Sequence, residues 1–260
     1  LLAEDDPINQ FIAIKMLHKL GYQVDAVNNG LEVIEALARK HYDIILMDGQ
    51  MPGMDGIQTT RQIRIIEGED RHTIIIAMTA QALQGDHEAF LEAGMDDYVS
   101  KPVDYKKLSA VLDGWLNKMY PSGTPCPLPG APGVAGAEDP VSDDFDMTSF
   151  MDRILHDKVL ARELIEVYLF EMPNQIEVLE LAIKAGDTEQ VRKLAHRIRG
   201  AALNMCGRNM GEKAAQIENA GKTGELAGLD DKVSGLYRNF LEMKKLMEAG
   251  LDYLQSGVRV

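Results

Sequence analysis

The sequence predicts two folds in series: a doubly wound α/β domain on a five-stranded parallel sheet, then an all-α antiparallel helical bundle. Three observations predict this. Between Leu1 and Tyr120, short apolar runs alternate with amphipathic stretches. From Phe145 onward only helical spacing remains. Between the two regions, residues 121–144 are rich in Pro, Gly and Ala and carry no Lys or Arg.

Strand patterns fall at Leu1 to Ala3, Tyr22 to Val27, Ile44 to Met47, Thr73 to Met78 and Tyr98 to Ser100. Helical patterns fill the gaps at Ile8 to Leu20, Leu31 to Lys40, Gly56 to Ile66, Leu83 to Glu92 and Tyr105 to Lys118. This alternation predicts a parallel sheet with helices on both faces, because each parallel crossover needs a helix. Residues 1–120 form the first domain and residues 121–144 a linker. As a flexible coil the linker would span roughly 25 Å. Residues 145–260 form the bundle, with apolar periodicity through Phe150 to Leu155, Leu160 to Ile183, Val191 to Met205, Met210 to Ala220 and Val233 to Leu254. Pro173 predicts a bend or turn, and Gly186-Asp187 and Gly221 to Gly224 predict breaks.

Composition excludes several function classes. A formal net charge of -14 argues against nucleic acid as a partner, since phosphate backbones call for clustered cations. No run of 18 apolar residues occurs, so this stretch is expected to make no membrane contact. Cys126 and Cys206 offer neither a disulfide framework nor metal-ligand spacing, which fits a reducing, cytoplasmic setting. Neither a Walker pattern nor a dinucleotide fingerprint is present, and the expectation is a phosphotransfer module without an ATP-binding kinase domain in this stretch. Leu1-Leu2-Ala3 opens inside a strand pattern, so the expectation is a segment of a longer protein.

The first candidate site lies at the strand ends, where open α/β sheets bind ligands. Glu4 and Asp5 follow the first strand, Asp48 ends the third, Thr79 ends the fourth, and Lys101 follows the fifth in a Ser-Lys-Pro turn. Three gathered carboxylates repel one another and call for a cation, and all-oxygen ligation with room for water suits magnesium. The ion would neutralise an incoming phosphoryl group while Lys101 and the Thr79 hydroxyl hold its oxygens. Asp48 would then be the nucleophile, forming an acyl phosphate.

The strings AEDDPINQ, LMDGQMPGMDG, AMTA and YVSKP, in this order, resemble the response-regulator receiver domain over residues 1–120. The resemblance implies a flavodoxin-like fold, with Glu4 and Asp5 as metal ligands, Asp48 as phosphoacceptor, and the backbone carbonyl of Gln50 as a further ligand. It also implies that Thr79 and Lys101 read the phosphoryl group and that Tyr98 is an aromatic switch following Thr79.

The second candidate site lies on a helix face. At about 100° per residue, Val191, Leu194, Ala195, Ile198, Ala202 and Met205 form one stripe, and His196 points to nearly the opposite side, toward solvent. Arg192 precedes it by four residues, Arg199 follows by three and Gly200 by four, the spacings that bring helix side chains together. Two guanidiniums can steady a phosphoryl group on the imidazole, and Gly200 leaves room for an approaching partner. The segment AHRIRGAALNM resembles the histidine-containing phosphotransfer domain, a likeness extending over residues 145–255. Arg199 stands where that family usually has lysine, and Met205-Cys206-Gly207 departs from its usual single-glycine turn.

Together the two sites predict a phosphorelay segment, as at the C-terminal end of a hybrid sensor histidine kinase whose sensor could be membrane-anchored. Asp48 would take a phosphoryl group from an upstream phosphohistidine kinase domain of the parent chain. His196 would pass it to the aspartate of a downstream response-regulator receiver. The charge pattern agrees: residues 1–120 carry 19 acids against 11 bases, while Arg192, Lys193, Arg197 and Arg199 cluster about His196. The alternative is an interaction switch in which Asp48 phosphorylation alters docking and His196 carries nothing.

Overall fold

The computed structural model describes residues 1–79, 84–120 and 145–256; the 121–144 linker expectation lies outside them. In the first region five strands, β1 (Leu2–Ala3), β2 (Ala26–Val27), β3 (Ile44–Asp48), β4 (Ile74–Thr79) and β5 (Asp97–Ser100), form one sheet in the order β2-β1-β3-β4-β5. Every pairing is parallel. The order reverses between β1 and β3, which opens a crevice beyond their carboxyl ends. The predicted Tyr22 to Val27 strand is cut to two residues. β1 offers only Leu2 and Ala3 as partners, and these pair with Ala26 and Val27.

Side chains alternate across the sheet with period two. Ile45, Met47, Ile75 and Ala77 enter the core beneath α2 (Gly30–Arg39), α3 (Gly56–Glu67) and α4 (Gln84–Ala93). Leu46, Ile74, Ile76 and Met78 enter the core beneath α1 (Pro7–Lys19) and α5 (Tyr105–Met119). Helix starts are set by short polar side chains: Asp6, Asn29, Asp55 and Asp104 each accept a hydrogen bond from a first-turn backbone N–H.

The second region holds α6 (Met147–Arg153), α7 (Lys158–Ala185), α8 (Thr188–Asn204), α9 (Arg208–Thr223) and α10 (Leu229–Ser256). Pro173 neither ends nor divides α7, which runs through it for 28 residues. Buried Tyr168, Met172, Ile176 and Leu179 flank the proline and hold the helix against the bundle, so packing offsets the missing hydrogen bond. Gly221 is likewise inside α9, and the left-handed cap is Gly224 with φ +79°. The turn after α8 is also reassigned. Cys206, not Gly207, takes the positive φ of +59°, while a Cβ on Gly207 would meet Met243 Sδ at 2.3 Å.

Helices α8 and α9 approach closely because Gly221 has no side chain. A Cβ there would lie 2.7 Å from the backbone nitrogen of Arg192 and 2.9 Å from its Cα. Helix α1 packs on α7 and α8, and one apolar cluster runs from β3 and β4 through Ile8, Ile12 and Met16 into the bundle. We expect Gly221→Ala to push α8 and α9 apart and to destabilise the chain by about 1–3 kcal/mol, read as a lower urea midpoint.

Candidate functional site

The carboxyl ends of β1, β3 and β4 bring the predicted acids together. Carboxylate oxygens of Glu4, Asp5 and Asp48 all lie within 4.8 Å of one another. Glu4 and Asp48 are buried, and Lys101 reaches them from within the domain, its Nζ 2.6 Å from Glu4 Oε2 and 2.8 Å from Asp48 Oδ2. Burial disfavours the ammonium, but the Asp48 and Glu4 charges outweigh it, so Lys101 is held protonated. One cation does not neutralise three acids. Burial first, and then the Asp48 and Asp6 charges, push Glu4 up to about 8 despite Lys101. Burial also raises Asp5, against the lowering influence of Arg197. This donor set, all oxygen and short of positive charge, suits a hard divalent cation.

Thr79 ends β4 beside this cluster and is nearly buried, whereas Tyr98 on β5 is 37% exposed. The Gln50 backbone N–H donates to Asp48 Oδ1 at 3.3 Å, fixing the loop after β3. Gly56 lets that loop close, since a Cβ there would lie 2.3 Å from the Asp48 carbonyl oxygen.

The helical site differs from the expectation in one respect. The His196 side chain does not face open solvent: it is only 14% exposed. It stands against Glu218 of α9 and lines a cavity that α8 shares with the first domain. Asp48 and His196 line one cavity of about 550 Å³, shared by Asp5, Gln50 and Thr79 on one side and Arg192, Arg197 and Arg199 on the other. At about 30 Å³ per water, that volume holds a phosphoryl group and a hydrated ion with room to spare. Gly200 does leave room for an approaching surface, because a Cβ there would sit 3.0 Å from Asn9 Nδ2.

Two residues of this site escape the sequence reading. Glu218 on α9 is 2% exposed and accepts from His196 Nδ1 at 3.3 Å and from Arg199 Nη1 at 3.2 Å. Lys222, one turn on, approaches it at 2.9 Å. Burial alone would raise Glu218, but the hydrogen bond and charge of His196, together with Lys222, overcome it and bring it down to about 2. An ionised carboxylate only accepts, so it selects the tautomer with the proton on Nδ1, in which the imidazole lone pair is on Nε2. The signal was present: Ala214, Ile217, Glu218 and Gly221 share one helix stripe, and a charge on an apolar stripe calls for a partner. The arginines are also engaged. Arg199 is held by Glu218, and Arg192 Nη1 donates to Gln50 Oε1 at 3.0 Å.

Comparisons with known proteins identify the two regions. Residues 1–113 match the family described as Response regulator receiver domain, and residues 163–257 match the family described as Hpt domain. The chain is a receiver domain followed by an Hpt domain. It is 32% identical to the sensor histidine kinase GacS of Pseudomonas protegens over 80% of this chain and 22% of that protein. It is 29% identical to the aerobic respiration control sensor protein ArcB of Escherichia coli over 84% of this chain and 27% of that protein. The chain therefore spans about a quarter of these relatives or less. A solved receiver domain of a Pseudomonas aeruginosa sensor histidine kinase, described with a magnesium ion in its active site cleft, is 44% identical. The match covers 45% of this chain and 94% of that one, with a TM-score of 0.41. Among the described residues, no Hpt or receiver helix is long and apolar enough to cross a membrane.

Glu218 ties the Hpt helices to pH in a definite direction. Its pKa falls on folding, so its contribution is complete above about 4.5 and is lost as pH drops toward about 2. We expect the stability gap between wild type and Glu218→Gln, from urea unfolding, to shrink as pH falls below about 4.5. A gap independent of pH down to 3 would contradict the assignment.

Proposed function

We propose that this chain is the relay end of a hybrid sensor histidine kinase: Asp48 accepts a phosphoryl group from an upstream phosphohistidine, and His196 takes it from Asp48 for delivery to a separate receiver. The single observation that carries the reading is the shared cavity, which the Asp48 carboxylate and the His196 imidazole both line. In this step the P–O bond to Asp48 breaks with its electron pair returning to the carboxylate, and the Nε2 lone pair of His196 forms the P–N bond. Glu218 holds the Nδ1 proton, which makes Nε2 the nucleophilic nitrogen of the neutral imidazole.

Lys101 and Thr79 hold the phosphoryl oxygens on the Asp48 side, and Arg199 and Arg192 meet them on the His196 side. Arg192 would have to exchange Gln50 for phosphate, a swap favoured by charge. Magnesium is assigned to Glu4, Asp5, Asp48 and the Gln50 carbonyl, where it would supply the missing positive charge. Tyr98, partly exposed on β5 next to the strand that ends in Thr79, takes the switch role.

The decisive experiment follows the phosphoryl group by intact mass and acid/base lability after treatment with acetyl phosphate and magnesium. Wild type should gain an acid-labile, base-stable phosphohistidine that both Asp48→Ala and His196→Gln abolish. An acyl phosphate on Asp48 and nothing further would favour the interaction switch instead. Glu218→Gln should slow phosphohistidine formation by roughly ten- to a hundred-fold, the worth of about 1.5–3 kcal/mol for a hydrogen bond to a charged group. Magnesium should raise the wild-type melting temperature at pH 7, by up to about 2.7 kcal/mol of added stability at a hundred times its dissociation constant, and Asp5→Asn should lose that shift.

A further inference from the structure

We infer that Asn9 is a positioning residue for the acidic site: its side-chain amide, turned by Asn204 of the Hpt domain, holds the Glu4 carboxylate in the pose that receives a divalent cation. This rests on the magnesium assignment above and adds to it the group that sets Glu4 and the part of the chain that sets that group.

Glu4 is gripped from several sides. Lys101 Nζ meets its Oε2 at 2.6 Å, Asn9 Nδ2 donates to its Oε1 at 3.2 Å, and Gln10 Nε2 donates to its carbonyl oxygen at 2.9 Å. Donors on both carboxylate oxygens fix the rotation of the group and still leave each oxygen a second lone pair. Oxygens of Asp5 and Asp48 stand within 4.8 Å of it. A ligand held this way need not be ordered when the cation arrives. Asn9 is itself fixed, because its backbone N–H donates to Asp6 Oδ1 at 2.8 Å in the first turn of α1. Gly200 on α8 leaves the amide its space, since a Cβ there would press on Asn9 Nδ2 at 3.0 Å.

The direction of the amide follows from one group whose role is not open. The Val103 backbone N–H can only donate, and it meets Asn204 Oδ1 at 3.1 Å. Asn204 must then turn its NH2 toward Asn9, where Nδ2 lies 2.6 Å from Asn9 Oδ1. Asn9 in turn presents its own NH2 to Glu4. Reversing the Asn9 amide would set oxygen against carboxylate oxygen and NH2 against NH2, so the order is locked from Val103 to Glu4. Both asparagines are buried, which keeps water from substituting for either bond. Arg153 of α6 secures the far end, donating to the carbonyl oxygens of Leu203 and Asn204 at 2.7 and 2.9 Å and so holding the last turn of α8.

The Hpt domain therefore reaches both acids that flank Asp48. It acts on Glu4 through two amides, and on Asp5 directly through Arg197, whose charge opposes a cation there. By linkage, whatever the Asn204–Asn9 bond adds to cation affinity, the cation adds to that bond.

Magnesium binding to the full, unphosphorylated chain, followed by titration calorimetry at pH 7, tests this without any transfer step. Asn9→Ala should weaken binding by roughly tenfold or more, the usual loss when a ligand's hydrogen-bond partner is removed. Asn204→Ala leaves every receiver residue in place and should still weaken binding by roughly fivefold. The double variant should bind no more weakly than Asn9→Ala alone, because the second amide acts only through the first. Should Asn9→Ala fail to fold, Asn204→Ala decides by itself. Wild-type affinity in either single variant, losses that multiply in the double variant, or a wild type that binds no magnesium overturns the inference. Phosphohistidine formation after acetyl phosphate reads the relay separately: its absence with the binding pattern intact overturns the relay and leaves the positioning role.

Discussion

The buried ammonium of Lys101, set between Glu4 and Asp48, is the interaction on which the receiver site depends. Removing one partner of such a cluster leaves an uncompensated buried charge, a loss of about 3–5 kcal/mol, so the three elements that supply it are held in register. The sheet order makes this possible, because β1 and β3 are neighbours and β5 is one strand beyond β4. Lys101 fixes where the Asp48 oxygens point, and its single charge leaves the acidic cluster still demanding a cation. The same arrangement is therefore both structural support and chemical requirement.

A similar logic operates on the Hpt side with the signs exchanged. There a buried carboxylate, Glu218, sits among His196, Arg199 and Lys222. Each half thus holds its reactive group with an opposite charge drawn from a neighbouring element. The walls of the shared cavity are acidic at the strand ends and rich in cations along α8, so the halves attract and orient one another before any chemistry.

Much of this was legible in the chain. The alternation of apolar runs placed the receiver elements to within a few residues, because strand and helix periods differ enough to be separated over short windows. The acids and Lys101 were legible because parallel topology sends every strand's carboxyl end to the same edge. Local propensity marks Pro173 as a bend or turn and Gly221 to Gly224 as a break; α7 runs through the proline because Tyr168 to Leu179 are packed, and within the second stretch α9 continues past Gly221 to its cap at Gly224. His196 was placed on the correct face, yet its exposure could not be read from a helix wheel that knows nothing of the domain opposite.

By itself, then, the sequence determined the two folds and their order and pointed to Asp48 and His196 as candidate acceptors, since periodicity, strand-end chemistry and helical spacing are local properties of the chain. Tertiary structure alone decided what lies between them. Glu218 finds His196 across 22 positions, Asn204 finds Asn9 across 195, and Asp48 and His196 come to line one cavity. Such pairings depend on how separate surfaces complement one another, a property of three-dimensional shape and charge that no local window of residues contains.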